Sequence, residues 1–235
     1  MSARNKKVLH CSFITLFPEV ATAYVGSSMF RRAERARLLK TRVLYIRNFT
    51  TDKHHLTDES PYGGGPGMVM KAEPILRAVE YAKKDSTITA ARTLVIITDA
   101  TGKKFTSPYA RQYAKKYQHI IFIAGHYEGI DARLSPALKS GGYTVAHTSI
   151  GQYVLTGGEL PSLVMAAAIL RYIPGVLGET ASLEESRGGV GIPAYTRPPE
   201  FMWPPKSKKK YAVPPVLRSG DHTLIAEWRN KKRKK

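Results

Sequence analysis

Residues 119–131 read HIIFIAGHYEGID, a short apolar run followed by a turn held between two glycines. An unbroken apolar run of this length suits a strand covered on both faces. The pattern recurs twice: TLVIIT (93–98) runs into TDATGKK (98–104), and YTVAHTSI (143–150) runs into SIGQYVLTGG (149–158). Strands are also expected at 8–16 and 41–49. Helical spacing appears at 71–84, through Ile75, Leu76, Val79 and Ala82. Further helices are expected at 108–117, at 130–139 and from the third turn to Arg171. Thr156 and Glu159 have the capping-box spacing at the start of that last helix. Alternating strands and helices predict an α/β fold with a mostly parallel sheet. Ligands of such sheets lie beyond the carboxyl ends of the strands, so the three turns are expected to line one pocket.

The composition is that of an ordinary globular protein of 235 residues, with one exception. Thirty-seven Lys and Arg face 18 Asp and Glu, a net charge of +19. Such an excess calls for a polyanionic partner, and nucleic acid is the first candidate. No basic amphipathic helix stands out to favour a membrane surface. Cys11 is the sole cysteine, which excludes an intrachain disulfide and fits a reducing compartment. The longest apolar run, 163–170, is far short of a membrane span, and the basic start breaks at Pro18, too early for a signal peptide. The expectation is a soluble, cytoplasmic protein with no membrane partner.

After Pro174 the texture changes. GVLGETASLEESRGGVGIP (175–193) is small, polar and glycine-rich, as in a linker or lid. From Phe201 onward eleven Lys and Arg face only Asp221 and Glu227. The expected division is a catalytic domain at 1–172, a mobile linker at 173–192 and a basic, small helical C-terminal domain at 193–235. Glycines after strands can equally be plain connectors, so the turns alone do not settle a function.

Seven motifs in order do more. They are LFPE (16–19), DESPYGGGPGMVM (58–70), GHYEGID (125–131), SIGQYVLTGGELP (149–161), PGVLG (174–178), PAYTRP (193–198) and VPPVLRSGDH (213–222). Together they closely resemble the bacterial tRNA (guanine-N1)-methyltransferases of the TrmD type. The resemblance implies a SPOUT-class α/β domain with a deep trefoil knot, which no periodicity reveals. It implies S-adenosylmethionine bound across the three turns, and a homodimer with active sites at the subunit interface. It also implies methyl transfer to N1 of the guanine 3′ of the tRNA anticodon.

Carried over residue by residue, the resemblance assigns the donor to Gly125 and to Ile150, Gly151, Gln152, Tyr153, Val154 and Leu155. Gly157 and Gly158 close that turn. Thr98, Asp99 and Gly102 lie in the first turn, and Tyr127 and Glu128 in the second. Asp58 and Gly67 match positions that meet the guanine, where a carboxylate can accept from its N–H groups. Arg171 matches the family's arginine, placed to stabilise negative charge developing on the base. The family's catalytic Asp is replaced: this chain reads Glu184-Glu185-Ser186. Glu185 is the expected general base, with Glu184 in reserve. Gln152 stands where many relatives carry Asp, which leaves the Mg2+ linked to the family's reaction an open question here. No metal-ligand spacing is visible. WPPKSKKK (203–210) and the terminal NKKRKK are private to this chain and suited to phosphates.

The alternative from another class is a catalytically impaired SPOUT-like RNA-binding protein, motivated by the Glu replacement and the charge. An ordinary nucleotide-binding enzyme lacks its glycine fingerprint.

Overall fold

The computed structural model describes residues 8–84, 86–177, 192–205 and 208–232. In chain order, strand β1 (Leu9–Thr15) leads to helices α1 (Pro18–Val25) and α2 (Ser28–Arg35) and to strand β2 (Leu39–Tyr45). Two-residue strands β3 (Asp58–Glu59) and β4 (Val69–Met70) precede helix α3 (Ala72–Lys83). Then follow β5 (Thr93–Lys104), α4 (Ser107–Lys116), β6 (His119–Ile123), α5 (Leu134–Ser140), β7 (Thr144–Ser149) and α6 (Glu159–Leu170).

Five strands form one sheet in the order β2-β1-β6-β5-β7, and every pairing is parallel. Because side chains alternate along a strand, the apolar runs feed two cores. Phe13, Leu94, Ile96, Ile120 and Phe122 pack on one face with residues of α1, α2, α4 and α6. Ile14, Val95, Ile97, Ile121 and Ile123 pack on the other with α3 and α5. All five residues of β6 are buried, which is why the strand is continuously apolar after His119.

Two expectations about local structure are corrected. Residues 98–104 do not end the strand: β5 continues to Lys104, but Thr98 and Lys103 both pair with Thr148, so residues 99–102 loop out between them as the first turn. Insertions of this kind, larger than a one-residue bulge, bend a strand and re-aim its side chains beside a site. Nor does Thr156 cap α6. The cap is Gly158, with no side-chain bond, and Glu159 is turned to another use.

The chain divides into two compact units, Met1–Leu177 and Gly178–Lys235. Ile173 and Val176 are buried in the first unit's core, beyond the expected domain end at residue 172. The second unit is not simply helical, as expected from sequence. Its described residues form an antiparallel pair, β8 (Glu200–Met202) with β9 (Lys210–Ala212), then helix α7 (His222–Lys232). The Phe201 and Tyr211 rings stack at 5.5 Å across the pair, and Tyr195 meets Trp228 edge-on at 6.1 Å. Among its described residues none is buried.

Among the described residues no helix is long and apolar enough to cross a membrane.

Candidate active site

The three turns meet through one hydroxyl and two amides. Thr98 Oγ1 donates to the Ile123 carbonyl at 3.2 Å and accepts the Gly125 amide at 3.0 Å. The Gly125 carbonyl in turn accepts the Gly158 amide at 2.9 Å. First, second and third turns are thus sewn into one seam at the carboxyl edge of the sheet.

The seam leaves no room for side chains. A β-carbon on Gly158 would lie 2.0 Å from Thr98 Oγ1 and 2.6 Å from the Gly125 nitrogen. One on Gly102 would lie 2.6 Å from the Thr148 nitrogen, and one on Gly157 would lie 2.2 Å from His126 Cε1. These glycines therefore have a packing reason: turn closes against turn, with protein atoms where a methyl would go.

A buried carboxylate anchors the seam from below. His126 Nε2 donates to Glu159, at 2.8 Å from Oε1 and 2.9 Å from Oε2, and the Thr15 hydroxyl donates to Oε1. Thr15 Oγ1 also accepts the Phe17 amide at 2.8 Å, and the Phe17 ring lies 5.1 Å from that of His126. Burial pushes the Glu159 carboxyl up, but the bonds from His126, Thr15 and its own backbone amide prevail and hold it below the ordinary range. The end of β1, the second turn and the start of α6 are joined at this one side chain. Sequence reading assigned Glu159 only to a cap and passed over His126 and Thr15; no local spacing links residues so far apart.

Asp99 is similarly engaged. Its Oδ1 accepts the Thr101 amide and hydroxyl, each at 2.8 Å, and its Oδ2 lies 3.1 Å from His147 Nδ1. Burial raises its pKa, and these bonds outweigh burial and lower it. His147 reaches on to Ser135 Oγ at 2.8 Å.

The 58–70 loop docks on the second turn by backbone. The Met70 amide donates to the Gly129 carbonyl at 2.9 Å, the Glu128 amide to Met68 at 3.1 Å, and the Asp131 amide to Met70 at 2.9 Å. Gly67, at φ +81°, sits where a β-carbon would meet the Glu128 side chain at 2.5 Å. Asp58 pairs with Met70 across β3 and β4, and its Oδ1 accepts the Thr57 hydroxyl at 2.9 Å. The structure therefore brings the Asp58–Gly67 loop to Glu128. Tyr127 beside it takes φ +58°, a left-handed geometry costing a non-glycine residue about 1–2 kcal/mol.

The third turn stays open. Tyr153, Val154 and Leu155 are 56%, 83% and 41% exposed, while the Ser149 hydroxyl donates to the Gly151 carbonyl at 2.8 Å. A β-carbon on Gly151 would strike the Tyr153 ring at 2.3 Å. Ile150 packs partly buried against the core, and Gln152 is exposed. Arg171 stands at the C-terminal cap of α6. Glu184 and Glu185 lie outside the described residues. Among the described residues no group of three or more His, Cys, Asp or Glu is arranged to hold a metal ion.

Fold and site together define an α/β protein with a closed glycine seam and an exposed loop at the carboxyl edge of a parallel sheet. The chain belongs to the tRNA (guanine-1)-methyltransferase family of the TrmD description, whose family model matches residues 9–235. It is similar to the tRNA (guanine-N(1)-)-methyltransferase of Carboxydothermus hydrogenoformans, 41% identical over 221 residues, covering 93% of this chain and 80% of that one. The Bacillus subtilis protein of the same name is 40% identical over 222 residues, 93% of this chain and 85% of that one. A Bacillus cereus protein, also so named, is 41% identical over 221 residues.

Proposed function

We propose that this chain transfers the methyl group of S-adenosylmethionine to N1 of the guanine 3′ of the tRNA anticodon, position 37. The observation that carries the reading is the Thr98–Gly125–Gly158 seam, which assembles three separate turns beside an open loop in a chain of this family. The bound donor supplies a methyl group already activated on a positive sulfur. The backbone of residues 150–155, with Gly125, Gly157 and Gly158, holds its adenosine and methionine parts. Thr98 sets the distance between the turns, and Gly102 closes β5 onto β7.

The guanine is received by Asp58, whose carboxylate accepts from base N–H groups, and by the backbone at Gly67 beside Glu128. Its N1 proton must leave as the methyl arrives. Glu185 takes that proton. Compared with Asp it keeps the charge and adds one methylene of reach, roughly 1.5 Å, on a scale where ~1 Å matters. Arg171 offsets the negative charge spreading onto the base.

The finer architecture follows the same family: a SPOUT-class knot at the three turns, and a homodimer. The dimer reading is supported by α1 and α6, which touch and present Tyr24, Leu160 and Val164 at 45%, 59% and 51% exposure. Exposed apolar side chains gathered on neighbouring helices mark an association surface. The basic second unit suits tRNA phosphates, and the site of action is the cytoplasm. With Gln152 in the third turn, Mg2+ has no carboxylate there to recruit it.

Labelled donor offered to transcripts with or without guanine at the target position tests the proposal. Transfer confined to the guanine-bearing transcript is expected. Tight binding of both without transfer would leave an RNA-binding scaffold instead.

A further inference from the structure

Gly102, Gly157 and Gly158 are small because protein atoms leave no room for more. The glycines that follow Tyr62 are different. A β-carbon on Gly63, Gly64 or Gly65 would meet nothing within 4 Å, although all three hold positive φ, at +85°, +79° and +124°. Packing therefore gives no reason for three in a row. Backbone geometry explains one of them. The Gly64 amide donates to the Pro61 carbonyl at 3.3 Å, closing a turn with Tyr62 and Gly63 at its corners. Positive φ at the second corner is the glycine position of such a turn. What remains is an arch of bare, exposed backbone.

Tyr62 is carried at the first corner. It is 100% exposed, and among the described large hydrophobic residues none is more so. The ring therefore adds no packing to the fold, and the turn's geometry makes no demand for an aromatic there. Both ends of the arch are fixed. At one end Asp58 pairs with Met70 across β3 and β4. At the other, the Glu128 amide bonds Met68 and the Met70 amide bonds Gly129. An exposed ring is thus held out on an anchored mount.

The ring stands in the chain between the two residues proposed to receive the guanine, four positions after Asp58 and five before Gly67. Four residues of chain span at most about 14 Å. That is a few nucleotides of strand, at roughly 3.4 Å of axis each. The Gly67 end of the arch turns inward, against the Glu128 side chain, while the Tyr62 end faces solvent. A guanine received at the inner end leaves the outer ring for its neighbour in the strand. Arg133 lies within electrostatic range of the Tyr62 phenol. Its guanidinium is 77% exposed and is fixed by Asp131, with Nε and Nη2 donating at 3.0 and 2.5 Å. Exposed aromatic rings near such cations hold single strands by stacking, and every base offers a face to them.

We infer that Tyr62 is an RNA-stacking residue, its ring lying against a base adjacent to the target guanine. The stack holds the strand while the guanine enters at the Gly67 end. Gly63, Gly64 and Gly65 let that strand pass close to the backbone. The inference rests on the methyl-transfer reading for the identity of the RNA. It makes Tyr62 a positioning residue, with no part in moving the proton or the methyl group.

Fluorescence anisotropy of labelled tRNA transcripts with the full chain reads the contact without requiring methyl transfer. Tyr62→Ala should bind about 5–150-fold more weakly, the worth of one base stack. Tyr62→Phe should bind as the unaltered chain does, and S-adenosylmethionine affinity should be the same in all three. Two further transcripts, one lacking the base 5′ of the guanine and one lacking the base 3′ of it, locate the stack. On one of them Tyr62→Ala and the unaltered chain should bind equally. Methyl transfer by the unaltered chain is scored separately: its absence would defeat the methyltransferase reading, while the anisotropy still decides the contact. Equal binding of the intact transcript by Tyr62→Ala and the unaltered chain overturns the inference. So does a loss in Tyr62→Phe as large as that in Tyr62→Ala, or a difference that persists on both abasic transcripts. A change of mass by light scattering in Tyr62→Ala would assign the ring to a contact between copies of the chain, and overturns it too.

Discussion

Glu159 grips His126 with both carboxylate oxygens, 2.8 and 2.9 Å from Nε2, inside a site only 7% exposed at the carboxylate's residue. A single buried charge thereby ties the second turn to the start of α6. Replacing it by Gln keeps the shape but removes the charge that two donors were built to meet. Glu159→Gln should lower stability near neutral pH by about 2 kcal/mol, the scale of a hydrogen bond to a charged group. Because the folded carboxyl titrates below its unfolded value of about 4.3, its contribution is whole above that pH and fades as pH falls through the folded pKa. Urea unfolding of both proteins should therefore show a gap near neutrality that closes in acid. A gap that widens in acid would contradict the assigned ionisation.

Thr98 is the other hub. Thr98→Val keeps the volume and deletes the hydroxyl, leaving the Gly125 amide without its acceptor, a loss of about 1–3 kcal/mol. Because the residue acts by spacing the turns, calorimetry should show S-adenosylmethionine binding weakened by roughly tenfold. Gly158→Ala meets backbone as well as the Thr98 hydroxyl and should be the more damaging of the two. Unchanged donor affinity in both variants would separate the seam from the donor site.

Glu185→Gln tests the proton acceptor. Single-turnover methyl transfer should slow by about 10²–10⁴, with donor affinity essentially retained. Near-normal transfer would shift the role to Glu184.

Leu160→Glu with Val164→Glu places two charges on the exposed stripe of α6, well away from the core side of that helix. Light scattering should find monomer in place of dimer, and methyl transfer should be lost with it. A variant that stays dimeric would move the interface elsewhere.

The sheet was legible because HIIFI and TLVIIT are short, β-branched apolar runs bounded by turn residues, which suits strands buried on both faces. The helix at 71–84 was legible from its spacing, and 108–117 was expected as a basic helix. What sequence missed has particular causes. TDATGKK reads as a turn because glycine and Asp favour one; residues 99–102 do loop out, but Lys103 and Lys104 return to pair with β7. Thr156 and Glu159 matched a capping pattern, but the pull of His126 and Thr15 on a buried carboxylate exceeded what an exposed cap offers. The β8–β9 pair was hidden in a lysine-rich stretch with no apolar alternation to betray it. In the first two cases a partner distant in sequence overrode the local preference. The glycines after the strands stand out in the sequence, but their crowding against neighbouring turns is visible only in three dimensions.

The bond from Thr15 to Glu159 spans 144 positions of chain. During synthesis the first strand is therefore finished long before its carboxylate partner is made. A ribosome that stalls before α6 emerges leaves the earlier turns without the clasp that holds them. Competence to receive a ligand then arrives late and all at once, when the last element of the first unit comes home.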